Sequence, residues 1–218
     1  MATTLGDLKL RFSYRVGEDA VPSSTAEVAR RVSFINEGYR DVIRRQYWWF
    51  TEATAQFNSV QGQESYGASD GVPSNMRQIL ELRYQDRLYS QITQTDGMQA
   101  YTLPYNNYSE SYFLFDDKLF FVPALGASVT NGIKIKYYAN PVNLSSDSDQ
   151  VVIPDIFSDV LVSYAYGRWN QQESERGSAG DGFAEYTEII DLMTREQNKY
   201  LFSLKSTNTD VQLVGAYP

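Results

Sequence analysis

The sequence predicts an α+β fold: an antiparallel core of about four helices, an antiparallel β-rich domain inserted into it, and an extended C-terminal tail. Two observations carry this. Near both ends of the chain apolar residues recur every three or four positions, the spacing of one helix face, whereas from about Thr51 to Val142 they alternate. The boundaries that follow are 1–50 for the N-terminal helices, 51–142 for the insertion, 143–204 for a helical hairpin that completes the core, and 205–218 for the tail.

Taken in order, Thr4-Leu5-Gly6-Asp7 has the pattern of a capping box with Asp in the reciprocal position, and Leu5, Leu8, Phe12 and Val16 share one face before Gly17 ends the helix. Ser24-Thr25-Ala26-Glu27 offers a second capping box. The helix it opens is expected to run to about Trp48, with Val28, Val32, Ile35, Tyr39, Val42 and Ile43 along one stripe. Within the insertion, Ile79–Tyr84, Leu88–Ile92, Tyr112–Phe115, Leu119–Val122 and Ile133–Tyr137 read as strands. Asp116-Asp117 reads as a hairpin turn. Ser59–Asn75, Thr93–Gln99 and Tyr105–Glu110 are polar and read as loops. The stretch Val151–Leu204 is the strongest helical signal. Pro154 suits a first helical turn, and Phe157, Val160, Leu161, Tyr164, Ala165 and Trp169 form a stripe. Gly177, Gly180 and Gly182 mark a break. Phe183, Tyr186, Ile190, Met193, Gln197 and Tyr200 then step at 3–4–3–4 spacing, with Ile189 and Leu192 widening the seam.

Composition narrows the chemistry. The 218 residues contain no cysteine and no histidine. Disulfides and thiolate metal sites are thereby excluded, and the commonest general base and metal ligand are missing. No metal, cofactor or catalytic residue is expected. No segment approaches the length of an apolar membrane span, and the first residues lack the basic and apolar regions of a secretion signal. A net charge of −8 argues against tight nucleic-acid binding, which draws on Lys and Arg to release condensed counterions. Seventeen tyrosines fit either sheet composition or an interface that is half apolar and half wet.

Three stretches stand out as candidate sites. Arg30, Arg31, Arg40, Arg44 and Arg45 lie on the polar half of the second helix. They read either as a basic stripe for nucleic acid or, because Glu27, Glu37 and Asp41 lie among them, as a salt-bridged face that meets another subunit or solvent. Trp48 and Trp49 lie in a run of four aromatics, which cannot all enter one core and so suggests a junction between two structural layers or an interface; a carbohydrate-stacking platform is the rival reading. Val211, Leu213, Val214 and Tyr217 give the tail apolar anchors for a partner's sheet edge or groove. Ser145–Asp149 superficially resembles a calcium loop but lacks the glycine and closing glutamate of one, and reads as a linker.

The order of elements resembles the head–tail adaptor (connector, or head-completion) proteins of tailed bacteriophages. The resemblance rests on the capped first helix, the second helix ending in WWF, the β insertion, the phrase IPDIFSDVLVSYAYGRW, the final helix and the loose tail. It implies a structural virion protein of the neck, assembled in the host cytoplasm. Such proteins form a homo-oligomeric ring, typically a dodecamer, below the portal protein. The ring extends the channel through which genomic DNA passes without specific binding, and it offers an attachment surface to a tail or neck protein. In that family the C-terminal segment reaches the portal, which would assign Val211, Leu213, Val214 and Tyr217 to portal binding. Another neck or tail-tube part, or a carbohydrate-binding or carbohydrate-cleaving module, are the alternatives.

Overall fold

The computed structural model describes residues 2–102, 110–173 and 176–212. In chain order its elements are α1 (Leu5–Arg15), α2 (Thr25–Arg45), β1 (Glu52–Ser59), β2 (Ser65–Tyr66), β3 (Met76–Tyr84), β4 (Arg87–Gln91), α3 (Gln94–Thr102), β5 (Ser111–Phe115), β6 (Lys118–Val122), β7 (Val129–Ala139), α4 (Asp159–Gln172) and α5 (Arg176–Gln212). They form two compact units, Met1–Phe50 with Val142–Pro218, and Thr51–Pro141.

The first unit holds α1, α2, α4 and α5. Thr4 caps α1 as its sequence predicts: its hydroxyl accepts from the Asp7 backbone N–H, and the Asp7 carboxylate accepts from the Thr4 N–H. The second capping box does not form. Ser24 makes no side-chain cap, and the Glu27 carboxylate turns to Arg31 on the same helix. Helix α2 stops at Arg45, and Trp49–Thr51 form a separate 3-10 turn. Pro154 precedes another 3-10 turn, Asp155–Phe157, so α4 begins only at Asp159. The core combines Leu5, Leu8 and Phe12 of α1, Ile35, Tyr39 and Val42 of α2, Val160, Leu161 and Ala165 of α4, and Tyr186, Ile190 and Met193 of α5. Buried Asn36 is satisfied at both ends of its amide, donating to the Leu144 carbonyl at 2.9 Å and accepting from the Leu144 N–H at 2.8 Å. The acidic linker is a turn: the Asp149 carboxylate accepts from the N–H groups of Ser145 and Ser146, and Asp147 pairs with Lys9.

Two expectations about the last helix are corrected. Gly177, Gly180 and Gly182 do not break it; α5 already begins at Arg176. At Gly182 the reason is contact. A Cβ there would lie 2.7 Å from the Gly167 nitrogen and 3.0 Å from the Ser163 carbonyl oxygen, so the two helices meet backbone to backbone. Further along, Tyr164 packs on Tyr186 with ring centroids 5.3 Å apart, and Phe157 shares a groove with Tyr200. This descending order of partners makes α4 and α5 antiparallel. Nor is the chain extended from residue 205, since α5 continues to Gln212. No glycine or proline interrupts 205–212, and adding residues to a packed helix costs far less than nucleating one.

The second unit is a seven-stranded sheet in the order β1-β7-β3-β4-β5-β6-β2. It is mixed rather than antiparallel, because β4 and β5 pair in parallel, Ser90 with Ser111. Helix α3, which falls on residues read as a loop from their polarity, supplies the crossover that a parallel pair requires. The five strands read from the sequence are present, but β1 is not among them and β2 falls within Ser59–Asn75, read as a loop; Ile133, Ile135 and Tyr137 of β7 face the core, while Lys134 and Lys136 pair outward with Asp86 and Glu52. Asp116 and Asp117 both take positive φ, 51° and 55°, the backbone of a tight two-residue hairpin turn. Residues 103–109, which include all of the third expected loop but Glu110, lie outside the described residues.

Burial raises the Tyr112 phenol of this unit, and Tyr39 of the helical one, to about 12. A phenol whose folded value is raised stabilises the fold fully below its ordinary value of 10, and that contribution is lost as pH rises through about 12. Titration followed by tyrosinate absorbance should therefore show ionisation delayed beyond pH 11 for these two residues, and Tyr112→Phe should move the alkaline unfolding midpoint upward.

Candidate functional site

The arginine stripe of α2 separates into three environments. Arg31 is 1% exposed, and its guanidinium donates to Ser13, to both Glu18 oxygens at 2.8 and 2.7 Å, and to Glu27 at 2.6 Å. It also lies over the rings of Phe12 and Trp169. Burial works against its charge, but the bonds from Glu18 and Glu27 outweigh it and raise its pKa. Arg31 is therefore an internal tie and not part of an interaction surface. Arg30 stacks 4.1 Å over Trp169 and pairs with Glu173; Arg45 bonds to Asp41 at 2.9 Å and to the Tyr186 hydroxyl at 3.2 Å. Arg40 and Arg44 point outward, one turn apart. The acids among the arginines do serve as partners. Glu27 takes Arg31 and Asp41 takes Arg45, whereas Glu37 crosses to Arg168 of α4 at 3.1 Å.

The aromatic run divides as well. Trp48 is fully buried, its indole N–H donating to the Val42 carbonyl at 2.7 Å and its ring stacked on Phe50. That removes Trp48 from any surface, and with it one ring of the imagined carbohydrate platform. Trp49 is half-buried. Its backbone N–H donates to the Gln197 side chain at 2.8 Å, and it stands against Phe50 and Phe157.

Trp49 also opens onto an outward groove of about 490 Å³ lined by Pro154, Ile156, Phe157, Glu196, Lys199, Tyr200 and Ser203. On its wall Ile156 is 80% exposed, and on another face of α5 Phe202 is 75% exposed, both large apolar side chains held in water. Neither residue was singled out from the sequence. The usable signal was that both fall off their stripes: Ile156 precedes the Phe157–Val160–Leu161 face, and Phe202 lies outside the Tyr186–Ile190–Met193–Gln197 face.

Among the described residues no group of three or more His, Cys, Asp or Glu could hold a metal ion. No helix there is long and apolar enough to cross a membrane. Asp116 and Asp117 serve the hairpin turn. Of the tail anchors, Val211 falls in the last turn of α5, and Leu213, Val214 and Tyr217 lie outside the described residues.

No curated protein matches the chain. The family model described as SU10 adaptor protein matches residues 3–208, both units included. This agrees with the resemblance to bacteriophage head–tail adaptors, and its match over nearly the full length shows that the chain belongs to the SU10 adaptor protein family, a phage structural protein and component of the virion.

Proposed function

We propose that this chain is the subunit of a ring, dodecameric as the adaptor resemblance implies, that sits below the portal protein, extends the DNA channel and presents an attachment surface to a tail or neck protein. The observation that carries this reading is the exposed apolar groove of the helical unit. Ile156 is kept in water beside Trp49, Phe157 and Tyr200, an arrangement that favours a protein partner over solvent. A net charge of −8 suits a conduit that lets DNA pass without holding it. Arg30, Arg40, Arg44, Arg45 and Trp49 remain as contact residues for neighbouring subunits or partners. Val211, Leu213, Val214 and Tyr217 are the portal anchor, and Val211 enters it from a helix rather than from an extended segment.

The test is mass measurement of the purified protein alone and with portal rings. Ile156→Asp should leave the circular dichroism unchanged, because the side chain is already in water, and weaken attachment to a partner at least tenfold. Truncation after Gln212 should weaken attachment to the portal specifically. Unaltered attachment by both variants would remove the groove and the tail from the account.

A further inference from the structure

Two helices of the helical unit each carry exposed charge of one predominant sign. On α2, Arg40 and Arg44 are exposed on the side turned away from the buried Ile35, Tyr39 and Val42, and Tyr47, 41% exposed, follows one turn later. On α5, Asp181, Glu188 and Asp191 are exposed on the side turned away from Tyr186, Ile190 and Met193. Leu192, 44% exposed, lies among these acids, and Arg195 ends the run. The neighbours of α5 use its flanks: Glu185 pairs with Arg15 of α1, and Thr194 accepts from Gln46 at the end of α2. Other charges of the unit are matched internally, Arg31 by Glu18 and Glu27, Arg30 by Glu173, Arg45 by Asp41 and Arg168 by Glu37. Among the described residues, Arg40, Asp181, Glu188 and Asp191 make no such pair.

The two faces match in spacing as well as in sign. Arg40 and Arg44 lie about 6 Å apart along their helix axis, and Glu188 and Asp191 about 4.5 Å apart along theirs. Each face adds one half-exposed apolar side chain, Tyr47 or Leu192, of the kind that leaves water when two surfaces meet. We propose that the outer face of α5 on one copy receives the outer face of α2 on the next, with Arg40 and Arg44 against Glu188 and Asp191 and Tyr47 beside Leu192. The occupant is a second copy because the surface of complementary charge belongs to the same chain. Opposite patches steer the encounter and fix its register, whereas two α2 faces, or two α5 faces, repel. A contact between unlike faces is head-to-tail, the kind that closes a ring when repeated. The inference rests on the ring reading above and names the faces that meet in it.

Charge reversal in the full chain tests it. Arg40→Glu with Arg44→Glu, and separately Glu188→Arg with Asp191→Arg, should leave the circular dichroism unchanged, because all four side chains are exposed. Each pair should weaken self-association at least tenfold, followed by sedimentation or native mass measurement with and without portal rings. Mixing the two variants should restore it, since a reversed α2 then finds a reversed α5 while the native faces still find each other. Glu188→Gln with Asp191→Gln, which adds no new charge, should weaken association in the same direction. Wild-type rings with both reversed variants assembling normally, or a mixture that does not recover, would overturn this inference alone. So would an arginine variant that assembles normally and loses retention on DNA, which would assign those side chains to nucleic acid. A wild-type chain that stays monomeric in both conditions would overturn the ring reading and this inference with it.

Discussion

Replacing Arg31 with methionine should lower the stability of the helical unit by about 3 kcal/mol, the largest effect expected of any single charged side chain here. Methionine keeps much of the volume, so the loss isolates the guanidinium. Four hydrogen bonds disappear, to Ser13, Glu18 and Glu27, together with two cation–aromatic contacts. Breaking a buried ion pair by removing one partner can cost more than this, but Glu18 and Glu27 are 38% and 33% exposed and regain water, which reduces the penalty. The effect also has a pH signature. The hydrogen bond from Arg31 holds the Glu18 carboxyl below its ordinary value of 4.5. A depressed carboxyl stabilises the fold above its unfolded value, and that contribution fades as pH falls through the folded one. Urea unfolding at pH 7 and at successive steps below 4.5 should thus show the gap between wild type and Arg31→Met narrowing with acidity. A gap that is constant across that range would mean that packing, and not the ion pair, accounts for the loss.

Gly182→Ala should destabilise the same unit by about 2 kcal/mol, against the direction that helix propensity alone would give. Alanine in a helix interior is favoured over glycine by roughly 1 kcal/mol. At Gly182, however, the new methyl would meet backbone atoms of Gly167 and Ser163 at 2.7–3.0 Å, and backbone cannot rotate aside as a side chain can. Helices α4 and α5 must separate, loosening Tyr164 from Phe183 and Tyr186 along the seam. Gly180, two residues earlier in α5, is the control. A Cβ there meets nothing within 4 Å, so Gly180→Ala should raise stability by about 0.5–1 kcal/mol. Thermal melts of the two variants should shift in opposite directions, and a stabilised Gly182→Ala would show that the helices are not in close contact.

The same glycines show where sequence reading succeeds and where it stops. The 3–4 stepping of Tyr186, Ile190, Met193 and Gln197 is legible because a helix buries one stripe, and all four are buried. The alternation of Ile133, Ile135 and Tyr137 is legible for the equivalent reason in a strand, and the paired aspartates at 116 and 117 announce a tight turn by their tolerance of positive φ. A glycine carries two meanings, a flexible break or a close approach, and only the neighbouring helix decides between them. Polarity misled in the same way at Gln94–Thr102, a short helix whose role is to return the chain for a parallel pairing. The candidate surface was the least legible. A charge at helical spacing predicts a polar face, but whether Arg31 faces water depends on Phe12 and Trp169, which lie on other helices. Ile156 and Phe202 look like ordinary core residues until the fold leaves them outside.

The pairing of β1 with β7 has a consequence for how the chain assembles and varies. These are the first and last strands of Thr51–Pro141, and Glu52 lies across from Tyr138. Glu52 and Tyr138, one and three residues inside the two ends of this segment, are thus held one strand spacing apart, about 4.8 Å. To the helices on either side, a long excursion becomes equivalent to a short bridge once that pairing has formed. The entropy of closing a long loop is then met inside the sheet rather than when α2 finds α4. A cassette with adjacent ends can be lengthened, shortened or exchanged while the helical unit keeps its core, which leaves this segment free to diversify under whatever it contacts.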